Sequence, residues 1–200
     1  MSVQTQQHHS ILQSIAHRAM LARGLLPDFP GEVIAELGQL PRCVVINGNT
    51  VRDMRNLLWA SIDNDDSRDL DQLTVAKALP EGKVNILVAI ADVASFVEPG
   101  SAIDKHARHN TTSVYTAAQI FPMLPEKIST DVTSLNFNQK RLSIVVDMVV
   151  DANGALQETK IYPAWVRNRA KLAYNSVAAW LEKKGDIPKE IASVPKLAEN

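Results

Sequence analysis

The spacing of apolar residues predicts that the chain begins with helices. Residues 10–23 carry apolar side chains at helical intervals, between a candidate N-cap at Ser10 and a stop at Gly24. A second, shorter helix is predicted for residues 31–37. Together these two helices make residues 1–40 a predicted helical N-terminal segment.

Further along the chain the apolar positions follow a strand pattern. Five stretches are rich in β-branched and aliphatic residues and predict strands at 57–62, 70–78, 84–93, 142–150 and 155–162. The turn Asp151-Ala152-Asn153-Gly154 separates the last two stretches, and Asn-Gly supplies the positive φ angles that a tight hairpin needs. We therefore expect these two strands to pair in the antiparallel sense.

Helices are also expected between and after the strands. Residues 102–110 follow a Pro-Gly-Ser turn and predict one helix, and residues 170–184 predict a longer helix that stops at Gly185. Residues 116–138 show little periodicity and are expected to form an ordered loop. This order of elements predicts an α+β domain with a mixed, largely antiparallel sheet over residues 41–200.

Composition narrows the class of protein. The 200 residues are 46% apolar, and 21 basic side chains nearly balance 22 acidic ones, which argues against a polycation that coats nucleic acid. The single cysteine, Cys43, excludes an internal disulfide, and its apolar neighbours predict a buried small residue. The polar N-terminus is unlike a signal peptide, and the apolar run at 84–97 is too short to span a bilayer. We expect a cytoplasmic protein with no membrane partner.

Residues 61–72, SIDNDDSRDLDQ, hold the most unusual charge pattern, with aspartates at positions 63, 65, 66, 69 and 71. Two like charges about 4 Å apart cost roughly 1 kcal/mol in water, so either a cation or a well-solvated loop is expected. A calcium-binding EF-hand is excluded because Arg68 would stand where the loop requires Gly, and Thr74 where it requires Glu.

On a strand, some of these carboxylates would project from the same face. If residues 70–78 form a strand, Asp69 and Asp71 leave the same face, and Asp63 at the end of the preceding strand can join them. Converging carboxylates suit Mg²⁺ or Mn²⁺, which commonly also bind a substrate phosphate and activate water. The residues alone leave a solvated acidic turn open as the alternative. His106 and His109 lack zinc-like partners and are expected to be exposed on their helix.

Several longer blocks then resemble a known family. SIDNDDSRDLD, ILVAIADVASFVEPGSAIDKHA, SVYTAAQIFPMLPEKISTDVTSLN and RNRAKLAYNSVAAWLE resemble, in order and spacing, the RNB catalytic domain of the ribonuclease II and ribonuclease R exoribonucleases. The resemblance covers residues 59–182. It implies processive 3′-to-5′ hydrolysis of single-stranded RNA to nucleoside 5′-monophosphates, with magnesium as the cofactor and manganese as an alternative ion.

The resemblance also assigns the acidic positions. It implies that Asp63, Asp69, Asp71 and Gln72 form the metal site, with Asp69 and Asp71 as catalytic residues. The family usually has Asp at the fourth position, whereas Gln72 offers a neutral oxygen. A catalytically impaired RNB-like protein that binds RNA is therefore the alternative function. A magnesium phosphoesterase for small nucleotides is a third.

RNA contacts follow from the same resemblance. Tyr115 matches the aromatic residue that holds the 3′-terminal nucleotide, and Tyr174 matches one that lines the RNA channel; ordinary half-buried tyrosines are the alternative. Base stacking on an aromatic ring stabilises binding by about 1–3 kcal/mol per base. Arg167, Arg169 and Lys171 form a basic segment that either meets the RNA backbone or lies on an exposed helix.

RNB domains in this family extend further than 200 residues, and RNA-binding barrels often flank them. The resemblance therefore predicts that residues 41–200 are the N-terminal part of an RNB catalytic domain, truncated at its C-terminal end. It gives no oligomeric state.

Overall fold

The computed structural model describes residues 3–41 and 51–200, and the chain divides into two compact units. The first unit comprises Met1–Arg42 and Ala94–Ile128, and the second comprises Cys43–Val93 and Ser129–Asn200. The predicted burial of Cys43 concerns a position outside the described residues.

Five α-helices and nine strands are present in the described part of the chain. The helices are α1 (Val3–Ala22), α2 (Gly31–Gln39), α3 (Ala102–Asn110), α4 (Tyr174–Leu181) and α5 (Lys189–Ala192). The strands are β1 (Arg52–Asp53), β2 (Ala60–Asp63), β3 (Gln72–Ala78), β4 (Val84–Ala91), β5 (Val114–Tyr115), β6 (Ile120–Phe121), β7 (Lys140–Val150), β8 (Leu156–Arg167) and β9 (Ala170–Ala173). All five predicted strands are present, with shifted ends.

The first unit contains the helical N-terminal segment. Helix α1 begins before Ser10, so the predicted N-cap at Ser10 is wrong: the glutamine-rich residues that precede it are good helix formers. Gly24 adopts a positive φ of 72° just after α1, as expected of a helix stop. Helix α2 runs past its predicted end and stops before Leu40, which is extended because Pro41 follows it.

Helix α3 has its predicted bounds because side chains satisfy its N-terminal amides. The Ser101 hydroxyl accepts a hydrogen bond from the Asp104 amide at 3.2 Å. Glu36 of α2 accepts another from the Ala102 amide at 2.7 Å, which ties the two helices together. The stretch predicted as a loop at 116–138 also contains β6, paired with β5, and a π-helical turn at Lys127–Val132.

The second unit is built on a seven-stranded sheet, counted over the described residues, in the order β1-β8-β7-β4-β3-β2-β9. The outer pairs β1–β8 and β2–β9 are parallel and the remaining pairs are antiparallel. This confirms the α+β class with a mixed, largely antiparallel sheet. The predicted hairpin joins β7 to β8, with positive φ at Gly154.

Two apolar clusters stabilise this sheet. Alternate side chains of β3, β4, β7 and β8 pack on one face with the buried residues Trp59, Leu70 and Leu135. A second cluster joins β2 and β9 to α4 and α5 through Leu172, Val177 and Ile191. The first cluster therefore stabilises the central strands, and the second stabilises the outer pair β2–β9, in which β2 ends at Asp63.

The helix predicted at 170–184 is wrong in its first turn. Ala170–Ala173 forms β9 and pairs in parallel with β2, so the helix begins only at Tyr174. Ala170 and Leu172 are buried, and their alternation with half-buried neighbours is a strand pattern. Tertiary pairing with β2 outweighs the helical propensity of this short segment.

No helix within the described ranges is both long and apolar enough to cross a membrane.

Candidate active site

Three strand ends and one helix start meet at a cavity of about 450 Å³ in the second unit. Strand β2 ends at Asp63, which is paired with the last residue of β9. Strand β3 begins at Gln72, directly after Asp71, and runs antiparallel to β2. Because α4 follows β9 without a break, Tyr174 reaches the same place. Asp63, Asp71, Gln72 and Tyr174 all line this cavity.

The rest of the cavity wall is largely apolar and was missed by the sequence analysis. It comprises Ala60, Ile62, Thr74, Val177, Ala178 and Leu181. On α4 the lining residues lie at positions 174, 177, 178 and 181, which is the spacing of one helical face. That periodicity could have indicated that these residues share one face of a helix, but it could not show that this face lies beside Asp63.

The carboxylates interact electrostatically. Burial raises the pKa of Asp63 above its ordinary value, and the negative charges of Asp71 and Asp69 raise it further, while Lys171 opposes the shift. Asp69 and Asp71 are therefore close enough to repel a negative charge on Asp63. A bound cation would relieve this repulsion, so the local charge favours cation binding.

The donor set fits a hard divalent cation. Magnesium usually takes one or two protein carboxylates, several waters and a substrate phosphate, and it prefers oxygen ligands. Asp63 and Asp71 supply two carboxylates at the cavity, and Gln72 adds an amide oxygen. No group of three His, Cys, Asp or Glu side chains in the described part of the chain is arranged to hold a metal by itself. The magnesium site stays a prediction.

Lys171 is engaged with the acidic loop. Its ammonium group donates hydrogen bonds to the carbonyl oxygens of Ser67 at 2.6 Å and Asp65 at 3.5 Å. Asp65 and Asp66 are exposed in this loop and do not line the cavity. The loop is thus fixed through its backbone, and the Lys171 charge lies near Asp63.

The other basic candidates lie at the end of a strand or between two strands rather than on a helix, so the alternative of an exposed helix is wrong. Arg167 ends β8, and its Nε atom is buried without a hydrogen-bond partner among the described residues. Arg169 lies between β8 and β9, and its guanidinium donates to the carbonyl oxygen of Arg55 at 2.6 Å. Their contact with RNA stays a prediction.

Tyr115 belongs to the first unit. It lies on β5 opposite Ile120, and its side chain is 66% exposed. His106, in the same unit, was expected to be exposed but is buried, at 4% exposure. Its ring lies 4.5 Å from the Phe29 ring, centroid to centroid, and it shares the buried face of α3 with Ile103 and Asn110.

Comparison with known proteins identifies the class. The sequence model of the RNB domain matches residues 51–199. The chain belongs to the RNB domain family.

Individual relatives of the chain are named as ribonucleases. The chain is 37% identical over 137 residues to ribonuclease R of Mycoplasma genitalium, which covers 68% of this chain and 19% of that protein. It is 34% identical over 143 residues to exoribonuclease 2 of Escherichia coli O17:K52:H18, which covers 71% of this chain and 22% of that protein. The chain thus spans about a fifth of the length of these curated relatives.

Solved structures agree. Ribonuclease R of Mycoplasma genitalium, in complex with double-stranded RNA, matches with a TM-score of 0.76 and 29% identity, over 90% of this chain and 32% of that chain. Yeast Ssd1, a pseudonuclease, matches with a TM-score of 0.61 and 15% identity, over 78% of this chain and 20% of that chain. The second similarity shows the fold alone.

Proposed function

We propose that this chain forms part of a 3′-to-5′ exoribonuclease that hydrolyses single-stranded RNA to nucleoside 5′-monophosphates. The observation that carries this proposal is the cavity lined by Asp63, Asp71, Gln72 and Tyr174. The negative charges of Asp71 and Asp69 raise the pKa of Asp63 at this cavity. Relatives named ribonuclease R and exoribonuclease 2 support the reaction class. We place this reaction in the cytoplasm.

In this proposal Asp63 and Asp71 hold a Mg²⁺ or Mn²⁺ ion, with Gln72 as a neutral oxygen donor. Asp69, which was predicted as a further ligand and catalytic residue, does not line the cavity and contributes its nearby negative charge. When bound, the ion supplies neutralisation of phosphate charge and activation of water. The protein's own residues shape the site: Ile62, Val177 and Leu181 form an apolar wall on one side of the cavity.

Substrate binding is assigned to aromatic and basic side chains. Tyr174 is exposed and borders the cavity, where its ring can stack on a base, and Tyr115 is proposed to stack on the 3′-terminal base. Arg167, Arg169 and Lys171 are proposed to lie along the RNA backbone. The RNA complex of the Mycoplasma genitalium enzyme supports RNA as the partner.

The test compares Asp71→Asn with Asp66→Asn in the purified protein. Asp66 lies in the same acidic loop but is exposed and does not line the cavity, so it is a matched control for the loss of one charge. We expect Asp71→Asn to lower the rate of mononucleotide release from single-stranded RNA by about 100-fold or more, because metal-assisted stabilisation contributes several kcal/mol. The Asp66 variant should stay near the parent rate.

An unchanged rate in Asp71→Asn would show that the carboxylate mechanism is wrong. The same assay with a dinucleotide separates RNA hydrolysis from a phosphoesterase acting on small nucleotides. Hydrolysis of the dinucleotide alone would favour the phosphoesterase.

A second candidate function is RNA binding with impaired hydrolysis, and Gln72 favours it. A neutral amide lines the cavity where the family usually has Asp. Gln72→Asp distinguishes the two functions. A large gain of hydrolysis from an inactive parent would support the impaired protein, whereas an active parent with no gain would show that Gln72 serves in hydrolysis.

A further inference from the structure

The backbone of the acidic segment is held by hydrogen bonds outside the sheet. Residues 70–78 were predicted as a strand, but β3 begins only at Gln72. The Leu70 amide donates instead to the Ser134 hydroxyl at 3.1 Å, and the Leu70 carbonyl accepts from the Leu135 amide at 2.7 Å. Leu70 is thus fixed on both its polar groups, and Asp69 and Asp71 are its immediate neighbours.

The Ser134 hydroxyl, which accepts the hydrogen bond from Leu70, also donates one. The hydroxyl donates a hydrogen bond to the carbonyl oxygen of Arg68 at 3.1 Å, and the Asn136 side-chain oxygen is a second acceptor at 3.3 Å. Ser134 is only 1% exposed, and Leu70 and Leu135 are equally buried. Water therefore cannot readily replace the hydroxyl, and its loss would leave the Leu70 amide buried without a partner.

The segment that carries Ser134 is itself anchored. The Arg141 Nε atom donates to the Ser134 carbonyl oxygen at 2.9 Å, and the Arg141 Nη2 atom donates to the Asp131 carbonyl oxygen at 2.9 Å. These bonds fix the segment relative to β7. Ser134 therefore presents its hydroxyl from a rigid support rather than from a free loop.

The same segment is connected to the strand that carries Asp63. The Asn168 side-chain amide donates to the Leu135 carbonyl oxygen at 3.0 Å and to the Ser61 hydroxyl at 3.0 Å. Ser61 lies on β2, two residues before Asp63. A continuous set of buried hydrogen bonds therefore links the Asp69–Asp71 segment to the end of β2.

We propose that Ser134 is a positioning residue that holds the Asp69–Asp71 backbone beside Asp63. Ser134 is not among the residues that line the cavity, and it acts through the two hydrogen bonds of its hydroxyl to Leu70 and Arg68. This inference rests on the proposed function insofar as Asp63 and Asp71 bind a divalent ion.

The first variant is Ser134→Ala, which removes the hydroxyl with little change of volume. We expect the Leu70 amide to exchange with solvent faster, as measured by NMR hydrogen exchange in the absence of metal and RNA. We expect Mn²⁺ binding, measured by electron paramagnetic resonance, to weaken by about 10-fold, the scale typical of outer-shell partners. With RNA as substrate, kcat should fall while KM stays unchanged.

Two further variants separate positioning from general loss of stability. Ser143→Ala removes another fully buried serine hydroxyl, which donates to the Ala164 carbonyl oxygen at 3.1 Å within the sheet. It should lower stability but leave Leu70 exchange and Mn²⁺ affinity unchanged. Ser134→Thr keeps the hydroxyl and should restore both properties toward the parent values.

Unchanged Leu70 exchange and Mn²⁺ affinity in Ser134→Ala would overturn the proposal, as would equal effects from Ser143→Ala. Should Ser134→Ala not fold, Ser134→Cys, which is nearly isosteric but a weak acceptor, is measured in its place with the same criteria. If Asp71→Asn retains full hydrolysis while Ser134→Ala still frees Leu70 and weakens Mn²⁺ binding, the proposed function fails and the positioning role stands.

Discussion

His106 is a buried titratable group in the first unit that the proposed reaction does not use. Burial lowers its pKa below the ordinary value of 6.5, and the nearby charge of His109 lowers it further. The Asn110 side-chain nitrogen lies 3.3 Å from its Nε2 atom, which suits a neutral ring that accepts a hydrogen bond there. Its Nδ1 atom has no hydrogen-bond partner among the described residues. Folding therefore favours the neutral form of His106.

We predict that His106 makes the stability of the first unit depend on pH. A histidine with a lowered folded pKa stabilises the fold fully above its unfolded pKa of 6.5, and this contribution is lost as pH falls toward the folded value. His106→Gln, which does not titrate, should flatten this slope. Urea titrations at about pH 5 and about pH 7.5 measure it.

The matched control for His106→Gln is His9→Gln. His9 is an exposed histidine on α1, so its replacement removes one imidazole without removing a buried one. Equal pH slopes in the parent and in His106→Gln would contradict the assignment of this pH dependence to His106.

At the scale of elements, the β7–β8 hairpin shows how local residues fix the register of two long strands. The Asp151 carboxylate accepts hydrogen bonds from the Asn153 amide at 2.9 Å and the Ala155 amide at 3.0 Å. Gly154 has a φ of 83°, in the left-handed region that disfavours residues with a Cβ atom. Asn153 was expected to share this positive φ, but in the described backbone only the glycine of that pair adopts it.

We predict that Gly154→Ala destabilises the protein by about 1 kcal/mol, because the left-handed conformation costs an L-residue roughly that amount. A Cβ atom at this position would meet nothing within 4 Å, so the effect isolates backbone strain from packing. Chemical denaturation measures it. Gly31→Ala, at the first residue of α2, has equal space without a positive φ and should be neutral or slightly stabilising.

If Gly154→Ala and Gly31→Ala shift the denaturation midpoint equally, positive φ is not what Gly154 supplies to the hairpin.

At the scale of the whole molecule, the second unit combines a rigid sheet with a site made at its strand ends. Its core includes the fully buried Leu73, Ala89 and Val145 on adjacent central strands. The candidate active site needs little of this core directly, yet it depends on the strand order that the core imposes. The pairing of β2 with both β3 and β9 brings Asp63, Gln72 and Tyr174 to one cavity.

Much of the fold followed from local pattern. The Pro-Gly-Ser turn predicted α3, the Asn-Gly turn predicted the hairpin, and stretches rich in β-branched and aliphatic residues predicted the existence of all five strands. The predicted helix start at Ser10 was wrong because no helix breaker precedes this residue. The predicted helix at Ala170–Ala173 was wrong because pairing with the distant strand β2 decides the conformation there. For the candidate site, the charge pattern predicted Asp63, Asp69 and Asp71 as a group, and of these Asp63 and Asp71 line the cavity. It could not predict the apolar wall or the hydrogen bonds of Ser134.

The sequence by itself determined the α+β class, the acidic segment and the resemblance to RNB exoribonucleases, because these depend on residue type, order and short-range spacing. Only the tertiary structure decided that Tyr174 starts a helix at the cavity, that His106 is buried and that Ser134 holds Leu70. Each of these depends on contacts between residues far apart in the chain: Ser134 and Leu70 are 64 positions apart. Such pairings leave no periodic signal, so they become visible only when packing brings the segments together.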